Sequence, residues 1–148
     1  AFPEVRLKRY LEMRGADSGA WGNICALPAF WTGLLYDPET LAAAADLAAA
    51  LTANDVMEAR LSVARDGLRG QLGGRDIHKL AAELVKLASE GLRRRARIDD
   101  GGNDETGYLA PLREVVASGE TPADRLLRLH RMAWNGDLKQ IFDAEQYQ

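Results

Sequence analysis

The sequence predicts a mainly α protein led by an amino-terminal β-strand. Three observations carry that reading: strict alternation over residues 5–14, a succession of capped alanine- and leucine-rich segments after Trp21, and one long amphipathic stripe over residues 77–92. In the first of these, Val5, Leu7, Leu11 and Met13 fall on one face, interrupted by Arg9. Arg6, Lys8, Tyr10, Glu12 and Arg14 fall on the other. At about 3.3 Å per residue such a strand runs roughly 30 Å, the length of a member of a substantial sheet. Its hydrogen-bonding partners are then short pieces at the start of the chain or lie outside it, because little after Trp21 reads as strand. The chain also opens on Ala1 rather than methionine, directly beside this strand, and is expected to be a fragment of a larger fold.

The polar face sets three cations, one carboxylate and a phenol in a row, a surface suited to a polyanion carrying a metal ion. The same alternation also fits a solvated sheet face, whose ion pairs contribute under about 1 kcal/mol each.

Residues 15–22 hold three glycines and predict a loop able to approach a ligand closely, with Asp17 either contacting substrate or stabilising the turn. The apolar run over residues 24–36 predicts a buried segment, with Trp21, Phe30, Trp31 and Tyr36 in the core rather than on a stacking platform. Asp37-Pro38 is a helix start, and residues 40–51 predict a helix buried on most sides. Thr52-Ala53-Asn54-Asp55 has capping-box spacing and opens a helix to about Asp66, where Gly67, Gly70, Gly73 and Gly74 impose a loop. Ile77, Leu80, Leu84, Leu87 and Leu92, with Ala81 and Ala88, form the stripe of the long helix. Its basic end, Arg93, Arg94, Arg95 and Arg97, is expected to be solvated and to complement the helix dipole. Residues 98–103 predict a turn. Asp99, Asp100, Asp104 and Glu105 lack the ligand pattern of a calcium loop and are expected to cap the helix holding Leu109, Leu112, Val115 and Val116. Thr121-Pro122-Ala123-Asp124 starts the next helix, with Leu126, Leu127, Leu129 and Met132; Asn135-Gly136 stops it, and a last helix runs from about Leu138.

Composition narrows the function classes. A chain of 148 residues, 47% hydrophobic, can bury one core, and its formal charge of −3 gives no general affinity for nucleic acid. The apolar run of residues 24–36 contains Pro28 and falls short of the roughly 20 residues that span a bilayer, which predicts no membrane partner. One cysteine forms no internal disulfide, so a reducing cytoplasm is the expected location, and Cys25 reads as a small core residue rather than a nucleophile. His78 and His130 stand on separate helices without metal-ligand spacing and are expected to be ordinary boundary residues. There is no internal repeat and no phosphate-binding glycine loop.

Residues 2–17, Phe-Pro-Glu-Val-Arg-Leu-Lys-Arg-Tyr-Leu-Glu-Met-Arg-Gly-Ala-Asp, resemble the plant and proteobacterial type of glutamate-cysteine ligase. So do Cys25-Ala26-Leu27-Pro28-Ala29-Phe30-Trp31, Gly33-Leu34-Leu35-Tyr36-Asp37, Glu90-Gly91-Leu92-Arg93-Arg94-Arg95 and Thr121-Pro122-Ala123. The resemblance covers nearly the whole chain but only what looks like the last third of such an enzyme. It implies the carboxy-terminal part of an α+β ligase fold built on a curved antiparallel sheet, with residues 1–22 as the catalytic-sheet strand and glycine-rich loop and residues 23–148 as a helical scaffold of the same domain.

For the site, the resemblance implies that the Tyr-x-Glu-x-Arg triplet, here Tyr10, Glu12 and Arg14, lines an active-site funnel. Glu12 would help hold Mg2+ on the phosphates of ATP, Arg14 would lie near the transferred phosphoryl group, and Tyr10 would line the substrate cavity. Arg6 and Lys8 share that face as electrostatic contributors, and Asp17 is a further substrate-contact candidate. ATP would phosphorylate the γ-carboxylate of glutamate, and the amine of cysteine would displace phosphate to leave the amide. The remaining carboxylates would come from the missing amino-terminal portion, so the chain alone is expected to be inactive. Two other readings stand beside this one: a non-catalytic helical interaction module derived from a ligase, and a carboxylate-amine ligase with a different amine acceptor.

Overall fold

The computed structural model describes residues 4–17 and 19–144. Ser18 of the expected glycine-rich loop, and Phe2 and Pro3 of the resembling segment, lie outside the described residues.

The amino-terminal strand is not straight. β1 (Val5–Leu7) folds back on β2 (Leu11–Met13) as an antiparallel hairpin, with Val5 opposite Met13, Arg6 opposite Glu12 and Leu7 opposite Leu11. The physical reason is pairing: a lone ten-residue strand leaves its N–H and C=O groups unmatched, and reversal at Lys8-Arg9-Tyr10 supplies a partner from within the segment. The Lys8 N–H donates to the Tyr10 carbonyl across that turn at 2.9 Å, and the Arg14 N–H donates to the Glu4 carbonyl at 2.7 Å below it. Paired residues have the same parity, so the two faces read from the alternation survive the reversal.

A second hairpin, β3 (Gln71–Leu72) with β4 (Arg75–Asp76), occupies what the glycines predicted as loop. Gly73 and Gly74 turn it with φ of +55° and +75°, the left-handed pair that a two-residue hairpin turn requires. Among the described residues the β-structure is these two small hairpins and an isolated bridge between Ile98 and Asp104, and the curved sheet implied by the resemblance is not seen among them.

Among the described residues seven α-helices make up most of the rest: α1 (Trp21–Leu35), α2 (Pro38–Ala48), α3 (Ala53–Asp66), α4 (Ile77–Arg95), α5 (Ala110–Ser118), α6 (Pro122–Met132) and α7 (Gln140–Ala144). Their starts follow the predicted caps. Asp37 accepts the Thr40 N–H at 3.0 Å, and reciprocal capping boxes join Thr52 to Asp55 and Thr121 to Asp124. The glycine loop is shorter than expected, since Trp21 and Gly22 already belong to α1.

The core forms where α1 crosses α4, around Ala29, Leu34, Ala88, Leu92 and Leu109, with Phe30, Trp31, Leu84, Leu87 and Leu112 packed on it. Leu109 comes from the 3₁₀ turn Glu105–Leu109, which Asp104 caps through the Thr106 N–H. The crossing is backbone to backbone. A Cβ on Gly33 would fall on the carbonyl of Ala88, and one on Gly91 would fall on the carbonyl of Gly33. Thr40, fully buried, donates its hydroxyl proton to the Gly33 carbonyl at 2.8 Å, so α2 is fastened at the same point.

Two expectations about burial fail. α2 is not buried on most sides: Thr40 is its buried residue, and Leu41 is exposed, because the helix touches its neighbours along one edge. Trp21 and Tyr36 stand at the two ends of α1, beyond the crossing, and are exposed, whereas Phe30 and Trp31 lie at its middle and pack edge to face.

The basic end of α4 is also more engaged than a solvated run. Arg94 donates to both carboxylate oxygens of Asp37, at 3.1 and 2.9 Å, tying α4 to the start of α2. Arg95 bonds Glu105 at 2.9 Å and lies over the Tyr36 ring. Arg94 first, then the Thr40 N–H, holds the Asp37 carboxyl down to about 2. A depressed carboxyl stabilises the fold above its unfolded value, near 4, and loses that contribution as pH falls toward 2. Asp37→Asn is therefore expected to lower the melting temperature at pH 7 and to flatten its acid dependence between about pH 4 and 2. The flattening is partial, because Asp55, Asp99 and Asp124 are depressed by their own hydrogen bonds. Thermal melts across that range check it.

Candidate active site

The hairpin gathers the polar face of the sequence into one cluster. Cross-strand pairing sets Arg6 opposite Glu12, and alternation adds Lys8 and Arg14 on the same side. Arg6 Nη2 donates to Glu12 Oε1 at 3.1 Å and approaches Oε2 to 2.7 Å. Arg14 Nε stands 3.4 Å from Oε2, and Lys8 Nζ 3.9 Å from Oε1. The Arg6 hydrogen bond, then the charges of Arg6, Lys8 and Arg14, hold the Glu12 carboxyl below the usual range against its partial desolvation. Glu12 is therefore ionised at neutral pH.

Charge balance decides what this face can meet. Three cations stand around one carboxylate, a grouping of side chains suited to a polyphosphate. Glu12 Oε2 is shielded from solvent and held between two guanidinium groups, Arg6 Nη2 at 2.7 Å and Arg14 Nε at 3.4 Å. A carboxylate oxygen is the ligand type that a hard cation such as Mg2+ takes, and here such an ion would have to displace a guanidinium to reach it. Among the described residues no group of three metal-ligating side chains converges around Glu12 or elsewhere.

The other residues singled out by sequence fall in different places. Tyr10 lies on the hairpin turn, exposed, with Lys8 Nζ 5.9 Å from its ring centroid. Asp17 lines an apolar groove, together with Val5 and Met13 from the opposite face of the hairpin, while Arg6, Lys8, Tyr10, Glu12 and Arg14 do not. The structure thus brings Arg6, Lys8, Glu12 and Arg14 together and leaves Asp17 apart. The helices do not buttress the whole apolar face either. Leu7 is 80% exposed and Leu11 57%, because the hairpin tip projects beyond the helices.

Glu4 and Arg60 were not legible as site residues. Arg60, on α3, pairs with the Glu4 carboxylate at 2.8 Å, and the Glu4 carbonyl accepts the Arg14 N–H. This links the hairpin base to the helices one residue away from Arg14. Nothing in the spacing of residues 4 and 60 signals such a contact. His78 and His130 behave as boundary residues, each within hydrogen-bond distance of a backbone carbonyl, Val116 and Gly136 respectively.

Comparison with known proteins bears on this geometry. The model of glutamate-cysteine ligase family 2 matches residues 1–144. The chloroplastic glutamate-cysteine ligase of Nicotiana tabacum is 44% identical over 146 residues, covering 99% of this chain and 27% of that protein. Those of Solanum lycopersicum and Arabidopsis thaliana are 45% and 44% identical over the same length, with the same shares covered. The chain therefore spans about a quarter of the length of these relatives.

Proposed function

We propose, from the premise that this chain belongs to glutamate-cysteine ligase family 2, that it forms part of an enzyme joining the γ-carboxylate of glutamate to the amine of cysteine at the expense of ATP. This is the first step of glutathione biosynthesis. The observation that carries the site assignment is the convergence of Arg6, Lys8 and Arg14 on the ionised Glu12.

In this reading Arg14 acts on the moving phosphoryl group. Its guanidinium is already held beside Glu12, so little reorganisation is needed as negative charge develops. Arg6 and Lys8 offset the charge of the triphosphate and of the γ-carboxylate, two anions that must come together. Tyr10 presents a phenol to the substrates. Glu12 contributes one oxygen to Mg2+, which when bound neutralises and orients the phosphates of ATP. Glutamate leaves the first step as an acyl phosphate; the cysteine amine then forms the C–N bond, phosphate departs and the amine proton is lost.

Residues 1–22 are the catalytic segment of this proposal, and residues 23–148 its helical support. The remaining ligands for metal and nucleotide come from the portion of the enzyme outside these 148 residues. The 148-residue chain alone is expected to release no ADP, whereas the complete protein releases ADP only with both glutamate and cysteine present. A coupled ADP assay with each substrate omitted in turn tests this. ADP release supported equally by another amine would move the protein to a ligase of different acceptor specificity.

A cytoplasmic location, read from the single cysteine, belongs to the same proposal. No helix among the described residues is long and apolar enough to cross a membrane. The relatives are named as chloroplastic, which favours a plastid as the second reading, and fluorescent tagging of the complete protein separates the two.

A further inference from the structure

An apolar groove of about 1600 Å³ lies between the hairpin and the helices among the described residues. The uncharged-side residues Val5 and Met13 form one wall; Ile24, Leu27, Leu84 and Leu112 are among those of the other. Surface of this kind is costly to leave in water, at about 25 cal/mol per Å². Its exposure is real at both margins: Val5 is 48% exposed, Ile24 38% and Phe142, at the far rim, 73%. A contiguous apolar lining of this kind is a surface on which another segment can pack.

We infer that the groove is the seat of the rest of the enzyme, an apolar segment of the same polypeptide from outside these 148 residues. The length of the relatives chooses this occupant over a second copy of the chain, and two further observations say what it would do there. Relatives of the same family carry nearly three quarters of their length beyond the matched part. The groove wall is the reverse side of the hairpin that carries Glu12 and Arg14, so whatever fills it sets the height of that charged face above the helices. The hairpin is otherwise tied to α3 by the Arg60–Glu4 ion pair, a half-exposed contact too weak to fix a catalytic geometry unaided.

The inference rests on the reading of the chain as one part of a larger family enzyme, and its test is separate from the activity assay. In the complete protein, cysteine is placed singly at the positions of Ile24 and Phe142 and, as an exposed control, at Leu61, which is 77% exposed and lies outside the groove. Maleimide labelling is followed peptide by peptide by mass spectrometry, and a photo-crosslinking amino acid at position 24 identifies the neighbour. The expected result is labelling at 24 and 142 at least about tenfold slower than at 61, with crosslinks to residues of the same polypeptide outside this segment. Labelling as fast as at 61, or crosslinks that join two copies at positions within this segment, would overturn it. ADP release by the wild-type protein is recorded in parallel, so a failed activity leaves the labelling result interpretable and the reverse.

Discussion

Glu12→Gln in the complete enzyme is expected to lower turnover by roughly 10²-fold or more and to raise the magnesium concentration needed for half-maximal rate, with the fold intact. The substitution keeps the size and hydrogen-bonding reach of the side chain and removes its charge. Arg6, Lys8 and Arg14, which stand within 2.7 to 3.9 Å of the carboxylate, then lose the negative charge they share. Two effects follow with the same sign. The oxygen proposed as a ligand for a divalent cation loses its formal charge, and Arg14 loses one of the groups beside it. The hairpin's backbone hydrogen bonds do not use this carboxylate, so the far-UV circular dichroism of the variant should match the parent, with only a small fall in melting temperature from the lost surface ion pairs. Steady-state kinetics over a magnesium titration check the prediction. Near-normal turnover at ordinary magnesium would remove Glu12 from the site.

The second large effect concerns the scaffold. Gly91→Ala and Gly33→Ala are each expected to destabilise the protein by about 3 kcal/mol or more, at or beyond the upper end of usual overpacking losses. The atoms that an added Cβ would meet are backbone carbonyls of the facing helix, which cannot rotate away as a side chain can. Relief requires α1 and α4 to separate, and that separation would open the packing of Ala88 and Leu92 and pull the Gly33 carbonyl from the Thr40 hydroxyl. Gly107→Ala serves as the control, since a Cβ there meets nothing within 4 Å. Urea unfolding of the three variants measures the difference, and equal midpoints would show that the crossing can relax.

Helix starts were legible in the sequence because caps are local chemistry. Asp37-Pro38, Thr52 with Asp55 and Thr121 with Asp124 each satisfy backbone donors within three residues, so no tertiary information is needed to find them. The long stripe of α4 was legible for the related reason that its period is set by the helix itself. The path of residues 5–14 was not. Alternation reports which side chains share a face, and a hairpin whose pairs preserve parity has the same alternation as a straight strand. The grouping of Arg6, Lys8, Glu12 and Arg14 could thus be read while the reversal between them could not. Gly73-Gly74 carried a hairpin signal, but flanking strands of two residues each are too short to register as periodic. The burial of α2 was overestimated because alanine and leucine content measures helix propensity as much as core location, and this helix offers one edge to its neighbours. Arg60 lies beyond any local rule, since its partner Glu4 is distant in sequence and the pairing depends on the tertiary fold.

The claim on which the account turns is that the charged face of the amino-terminal hairpin meets the metal-bound nucleotide. Site-specific fluorotyrosine at position 10 of the complete enzyme, titrated with Mn2+ and ATP, addresses it directly, because a paramagnetic ion broadens only the ¹⁹F resonances near it. The account predicts broadening of the label at Tyr10 and a sharp signal from the same label at Tyr36, at the end of α1. A Tyr10 resonance that stays as sharp as that of Tyr36 at saturating Mn2+ and ATP would contradict it.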